Sequence, residues 1–255
     1  RRLMGMKQIL LMMAAVVFVG CSNDSPETSQ AAEAEPQLAS KPTPVSPADE
    51  KLIICPIVED KIRGLYEKPL GELTKADLMR LGGVTLHDTK ITDTSLRDVA
   101  KFQQLFMLSL ASSSITDAGL KELTKLQQLK QLGLGSTKIT DEGLKDVAKL
   151  QQLEQLSLAR TKITDEGLKD VAKLQNLTTL ILSENQITDA GLKEVAKLKQ
   201  LEKLGLLRTK ITNMGVSELA KLKQLTTLSL TGTKVTEAGV AELKKALPNC
   251  RIFGP

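Results

Sequence analysis

The side chains able to do chemistry are few and scattered. His87 stands beside Asp88, a pairing that could orient an imidazole as a base, yet no Ser or Cys is spaced as the nucleophile it would activate. Cys21, Cys55 and Cys250 are the three cysteines and His87 the one histidine. Such a set argues against a metal site built on His and Cys clusters and against a disulfide-stapled fold. Asp93, Asp117, Asp141, Asp165 and Asp189 recur at one interval, which could suggest a calcium column. The glycine-rich pattern of such columns is missing, and capping of helix starts accounts for the acids. Gly119, Gly143, Gly167, Gly191, Gly215 and Gly239 lie whole intervals apart, so they read as packing or turn residues and form no phosphate loop. The expectation is a chain with no catalytic constellation, no metal and no cofactor. Its chemistry is binding.

The elements that would position a binding surface follow from one period. Ile-Thr-Asp begins at Ile91, Ile115, Ile139, Ile163 and Ile187, Ile-Thr-Asn at Ile211, and Val-Thr-Glu at Val235, 24 residues apart each time. Seven copies without an insertion make this a repeat architecture. Within one copy, Leu132-Gly133-Leu134 alternates with period two and reads as a short strand with both leucines inward. Leu144, Val147 and Ala148 fall at i, i+3 and i+4, the inner stripe of a short helix capped by Thr140 or Asp141. Ordering 24 residues costs more than the few aliphatics of one copy return, so a single copy cannot stand alone and stacking supplies the difference. Aromatics are only 2% of the chain, so Leu, Ile and Val must make the core. Helices are wider than strands, and the array must curve with its strands on the concave side.

Charge obeys the same period. Asp98, Glu122, Asp146, Asp170, Glu194, Glu218 and Glu242 each precede by three residues one of Lys101, Lys125, Lys149, Lys173, Lys197, Lys221 and Lys245. Acid before base at that spacing supports a helix by a few tenths of a kcal/mol, at roughly 0.2–0.5 per pair. The net charge of +5 is modest and no run of five like charges occurs, which argues against a nucleic-acid arm.

The N-terminal 50 residues have a different composition. Arg1, Arg2 and Lys7 precede an apolar run from Ile9 to Gly20, which as a helix spans about 18 Å where a bilayer core needs about 30 Å. Residues 1–21 therefore read as a signal peptide, with Met4 or Met6 as its opening. Residues 22–51 hold Pro26, Pro36, Pro42, Pro44 and Pro47 among Ala, Ser, Thr and acids and are expected to be a disordered, extended tether. Residues 52–80 are expected to form an N-terminal cap, with Cys55-Pro56 opening a helix whose inner face is Val58, Ile62 and Leu65, and Thr74 and Asp77 starting another. Residues 81–248 hold the seven repeats. Leu247 to Phe253 is expected to replace an eighth strand, so that residues 249–255 form a C-terminal cap.

Two resemblances follow. Phe18-Val19-Gly20-Cys21, directly after the apolar run, resembles a bacterial lipobox, which implies cleavage before Cys21 and a diacylglycerol on its thiol. The pattern LxxLxLxxTxITDxGLxxVAxLxx is similar to the leucine-rich repeat family, in particular to bacterial leucine-rich repeat lipoproteins and to the repeats beside F-boxes. It departs from them in carrying mostly Thr where Asn or Cys is usual: Thr89, Ser113, Thr137, Thr161, Asn185, Thr209 and Thr233. The implied fold class is α/β, a leucine-rich repeat solenoid or horseshoe, with parallel strands on the concave face and short helices on the convex face.

Positions that vary between copies are not fixed by the scaffold. Those assigned to the concave strands are mostly small, and Phe106, Met107, Arg160, Ile181, Leu207 and Arg208 stand out as candidate partner contacts, since aromatic, Met and Arg residues favour interface cores. The expected function is a non-enzymatic, lipid-anchored module of the cell envelope, monomeric, binding another protein or an envelope polymer and no nucleic acid. The alternative is a substrate-recruiting adaptor for ubiquitin ligation like the F-box proteins, although no F-box precedes these repeats.

Overall fold

In the computed structural model the described residues are 55–66 and 81–254. They belong to the unit Asp49–Pro255, while the unit Arg1–Ala48 lies outside them. So do Cys21, the tether and the expected helix after Thr74.

Eight three-residue strands form one open, parallel sheet in chain order. They are β1 Gly83–Thr85, β2 Met107–Ser109, β3 Gln131–Gly133, β4 Gln155–Ser157, β5 Thr179–Ile181, β6 Lys203–Gly205, β7 Thr227–Ser229 and β8 Arg251–Phe253. Every pairing matches residues 24 apart, as in Leu132 with Leu156. The sequence period is therefore the sheet register. Helices return each strand to the next: α2 Leu96–Val99 after a 3₁₀ turn at Asp93–Ser95, α3 Asp117–Leu123, α4 Asp141–Val147, α5 Leu168–Val171, α6 Asp189–Val195, α7 Asn213–Leu219 and α8 Glu237–Ala246. One correction concerns the end of the array. Arg251–Phe253 does not replace an eighth strand but is one, paired in register with β7.

The core is one continuous aliphatic column. Ile91, Ile115, Ile139, Ile163, Ile187 and Ile211 are fully buried beneath the helix starts, with leucines of each strand and each helix around them. At the N-terminal end, α1 Pro56–Tyr66 contributes Val58 and Ile62 to this core, and the backbone N–H of Cys55 donates to Asp98 at 2.9 Å. Leu65 does not join them. It is 53% exposed, which corrects the three-residue inner face expected from spacing.

The Ile-Thr-Asp-x-Gly signature acquires a physical meaning residue by residue. The Thr caps its own helix, as Thr140 accepts from the N–H of Glu142. The Asp does not cap that helix. It reaches into the next repeat, where Asp141 accepts from both the N–H of Thr164 at 2.8 Å and its hydroxyl at 2.6 Å. Asp93, Asp117, Asp165 and Asp189 do the same for Thr116, Thr140, Thr188 and Thr212, and Asn213 accepts from the N–H of Thr236. These carboxylates thus form an inter-repeat ladder. The glycine makes room for it: a Cβ on Gly167 would lie 2.3 Å from Asp141 Oδ1 and 2.8 Å from Leu144 Cδ1.

Gly167→Ala is accordingly expected to destabilise the array by roughly 1–3 kcal/mol through overpacking. Gly64→Ala in α1, where a Cβ meets nothing within 4 Å, should instead stabilise by about 0.5–1 kcal/mol. Urea denaturation of both variants checks the opposite signs.

The Thr column that stands where the resemblance implies Asn or Cys works within each repeat. Thr137 donates to the carbonyl of Leu134 at 2.6 Å, and Thr209 to that of Leu206 at 2.7 Å. Asn185 alone in that column carries an amide, and it spans two repeats. Its Nδ2 donates to Leu182 and Leu158, while its Oδ1 accepts from the N–H and hydroxyl of Thr161.

Candidate binding surface

The concave face is built from the first and third residues of each strand and the turn after it. Strand centres such as Leu132 and Leu156 point into the core, so by the pleat their neighbours point the other way. The floor is low: Ser109, Gly133, Ser157, Gly205 and Ser229 fill one row. Ile181 rises from that row, and its Cδ1 packs over Gly205. Leu207, half-buried, sits on the adjacent strand's exit.

Arg160 and Arg208 are not on the strands, contrary to the sequence reading. Asp88, Ser112, Ser136, Arg160, Glu184 and Arg208 all have φ between 53° and 58°, the left-handed region that L residues with side chains avoid. Each forms the turn that leaves a strand. Their N–H groups hold them there by donating to the next repeat, as Arg160 does to Ser183 at 2.9 Å and Glu184 to Leu207 at 2.8 Å. The turn therefore sets Arg160, Glu184 and Arg208 side by side along one rim of the concave face. Arg160 meets Glu184 in a two-pronged contact, Nε to Oε2 and Nη2 to Oε1, both 3.0 Å. Arg208 approaches the same carboxylate at 3.9 Å. Glu184 thus orients two guanidinium groups. Sequence reasoning missed it, although its spacing of 24 from each arginine was the available signal.

The other two candidates are separate. Phe106 precedes β2 and is 38% exposed, with its ring lying where a Gly82 side chain would be. Met107 is a correction: it is only 5% exposed, because it folds over Gly83 with its Cε 2.8 Å from where a Cβ would stand. It is part of the floor and not an anchor raised above it. Both lie three strands from Ile181, about 14 Å at ~4.8 Å per strand.

The convex face carries the expected charge pairs, among them Asp146–Lys149 at 2.7 Å and Asp170–Lys173 at 2.6 Å. Hydrogen bonding by Lys125 and Lys221 holds the carboxyls of Glu122 and Glu218 below their usual range. Towards the C-terminal end, Ser217 and Ala241 replace the helix lysines Lys121, Lys145, Lys169 and Lys193. Met214 is 81% exposed there, beside a shallow hollow of about 400 Å³ lined by Val216, Ala220, Ala238 and Leu243.

Cys250 closes the far end of the core at 7% exposure, and burial pushes its thiol above the ordinary cysteine range. A raised value leaves less thiolate at neutral pH, and the thiolate is the nucleophile. Cys250 in the folded protein is expected to resist iodoacetamide at neutral pH and to react once urea unfolds the chain, as peptide mass mapping would show. His87 lies 3.8 Å from Asp88 on the exposed rim. No group of three or more His, Cys, Asp or Glu able to hold a metal occurs among the described residues, and no helix there is long and apolar enough to cross a membrane.

An open parallel sheet, closed strand by strand by short helices and stacked at a fixed 24-residue period, defines a leucine-rich repeat solenoid. The leucine-rich repeat region family matches residues 85–251, and the chain belongs to it. Among solved structures, internalin C2 of Listeria monocytogenes superposes with a TM-score of 0.56 at 22% identity, covering 78% of this chain and 93% of that one. That likeness shows the fold alone. A second Listeria monocytogenes internalin gives 0.43 at 19% identity over 78% and 74% of the two chains. A leucine-rich repeat protein of Leptospira interrogans gives 0.45 at 24% over 61% and 44%. No curated protein is matched. Leucine-rich repeat proteins are commonly protein-binding scaffolds, and no catalytic family is indicated.

Proposed function

We propose that this chain is a non-enzymatic binding module of the cell envelope, tethered to a membrane by lipid on Cys21, that offers its concave face to another protein or an envelope polymer. The observation that carries the reading is the contrast between columns. The identical ones are used up by the scaffold: Ile in the core, Thr and Asp in the ladder, Gly beneath it, acid and Lys in helix pairs. The concave positions vary and have no such employment. Their tallest central members, Ile181, Leu207 and the Arg160–Glu184–Arg208 clamp, combine apolar area with oriented guanidinium groups. That combination is typical of interface centres.

A pull-down with the lipid-free protein supplies the partner for the test. Arg160→Glu combined with Arg208→Glu is expected to weaken binding by about tenfold or more, roughly 1.4 kcal/mol. Lys149→Glu combined with Lys173→Glu on the helices should change it by less than about threefold, since a remote exposed charge contributes little. Titration of both at one salt concentration decides. Loss in the helix pair with retention in the concave pair places the site on the helices.

A further inference from the structure

The convex face changes character at its C-terminal end. The residue after the inward leucine or valine of each helix is Arg97, Lys121, Lys145, Lys169 and Lys193 in the first five repeats, then Ser217 and Ala241 in the last two. Met214 takes the position that Glu142 and Glu166 hold in the third and fourth repeats. At 81% it is the most exposed large apolar side chain among the described residues. The hollow between α7 and α8 has a counterpart of the same volume, about 400 Å³, between α3 and α4. That one is rimmed by charge, with Lys121, Glu142, Lys145, Asp146 and Lys149. The C-terminal one is lined by Val216, Ala220, Ala238 and Leu243, with Glu242 as its one charged residue. Earlier repeats stack without an exposed knob or an apolar hollow, so the scaffold does not require them.

Knob and hollow lie on opposite sides of Ser217. In both hollows the residue equivalent to Met214 lines the wall of the later helix, Glu142 in one and Ala238 in the other. Met214 therefore leans towards α6, whereas the hollow lies towards α8. Along the helix, Met214 and Ala220 stand three residues before and after Ser217, about 4.5 Å each way at ~1.5 Å per residue. A two-fold axis through Ser217 inverts both directions and carries each Met214 onto the other copy's hollow at Ala220. Lys221 pairs with Glu218, and the residue equivalent to Glu218 also lines the wall facing the preceding helix, so that ammonium is drawn away from the hollow. A side chain on such an axis faces its own copy, and a lysine at 217 would face a lysine. The same operation sets Lys193 of α6 over Ala241 of the other copy's α8, beside Glu242. Opposite charges meet there, although Glu242 also pairs with Lys245, and a lysine at 241 would oppose Lys193. The two replaced lysines are thus the two that this arrangement forbids.

We propose that a second copy of this chain covers this face, in a two-fold dimer through α6, α7 and α8, where the sequence alone led to a monomer. Three helices at a spacing of ~8–10 Å, each about 10–15 Å long, present roughly 300–400 Å² per copy. That is about half of the ~800 Å² per partner that a standard stable complex buries, so the dimer is weak, with a dissociation constant on the order of 10–100 µM. Both concave faces stay open, and the dimer does not depend on what they bind.

The test uses the full chain with Cys21→Ser, so that no lipid drives association. Sedimentation equilibrium from about 5 to about 500 µM is expected to show monomer passing to dimer and no further, because a two-fold contact closes on itself. Met214→Glu with Ser217→Lys recreates the ion pair that Glu142 and Lys145 make at 2.6 Å, so the fold is kept, as circular dichroism checks. Dimerisation of that variant should weaken by about tenfold or more, since like charges then meet at the axis. Ser217→Cys should cross-link to its own copy under mild oxidation, because a disulfide needs Cα atoms within ~7 Å. Lys145→Cys, at the equivalent position of the third repeat, should not. A monomer at every concentration, undiminished association of the Met214 and Ser217 variant, growth beyond the dimer, or equal cross-linking of the two cysteine variants overturns the proposal. Arg160 and Arg208 are untouched throughout, so its failure leaves the concave reading standing.

Discussion

Ile163→Asp is expected to unfold the middle of the array. Ile163 is fully buried between the cores of its neighbours. The aspartate would place a carboxylate in a column made only of aliphatics, with no cation within the interior to pair it. The uncompensated buried charge and the lost apolar contact together should cost on the order of 4 kcal/mol or more, among the largest effects of any point change. In a stack whose repeats touch only their neighbours, losing a central unit also removes its two interfaces. Lys173→Ala, on the exposed side of α5 and paired only with Asp170, should shift stability by about 0.5 kcal/mol or less. Urea titration followed by circular dichroism compares the two, and similar midpoints would contradict the inward role of the Ile-Thr-Asp isoleucines.

Cys21→Ser is expected to move the protein from the membrane fraction to the soluble one. The prediction rests on the apolar run and the lipobox-like residues before Cys21. Each buried methylene of an acyl chain adds about 0.8 kcal/mol of membrane affinity, and stable anchoring takes two such chains. The diacylglycerol proposed on Cys21 supplies both, so on that reading losing its attachment point removes nearly all the affinity at once. Intact mass of the wild-type protein gives the companion result: residues 1–20 absent and lipid present. Retention of residues 1–20 with no added lipid defeats the anchor.

How much of this was legible in advance depends on what a residue's neighbours in the stack do. The 24-residue period gave register, strand, helix and inward face, because one-dimensional stacking turns sequence interval directly into spatial adjacency. Met107 was misread because exposure on a strand face depends on the adjacent strand, and Gly83 leaves room for the thioether to lie flat. The Asp column was read as a local cap, since nothing within one copy reveals that Asp141 points forward to Thr164. Leu65 was placed inward by spacing alone, but α1 meets the repeats along a stripe that ends at Ile62. Glu184 escaped notice for a further reason: its side chain matters only because a left-handed turn, invisible to hydrophobic periodicity, lines it up with two arginines.

The Asp-to-Thr ladder has a direction. Every internal repeat receives one acceptor from behind and offers one ahead, so in this ladder each is interchangeable with any other. Only the two ends need exceptions, and they have them. Ser95 stands where later repeats carry the ladder glycine, and Glu237 stands where earlier ones carry Asp or Asn. Length is consequently a free variable of this molecule. A duplicated or deleted segment of 24 residues, cut at any phase within the interior, rejoins with the ladder continuous and no core position shifted. A lineage can therefore lengthen or shorten the rim and the concave floor by recombination between its own copies, changing reach and valency while leaving the folding problem as it was.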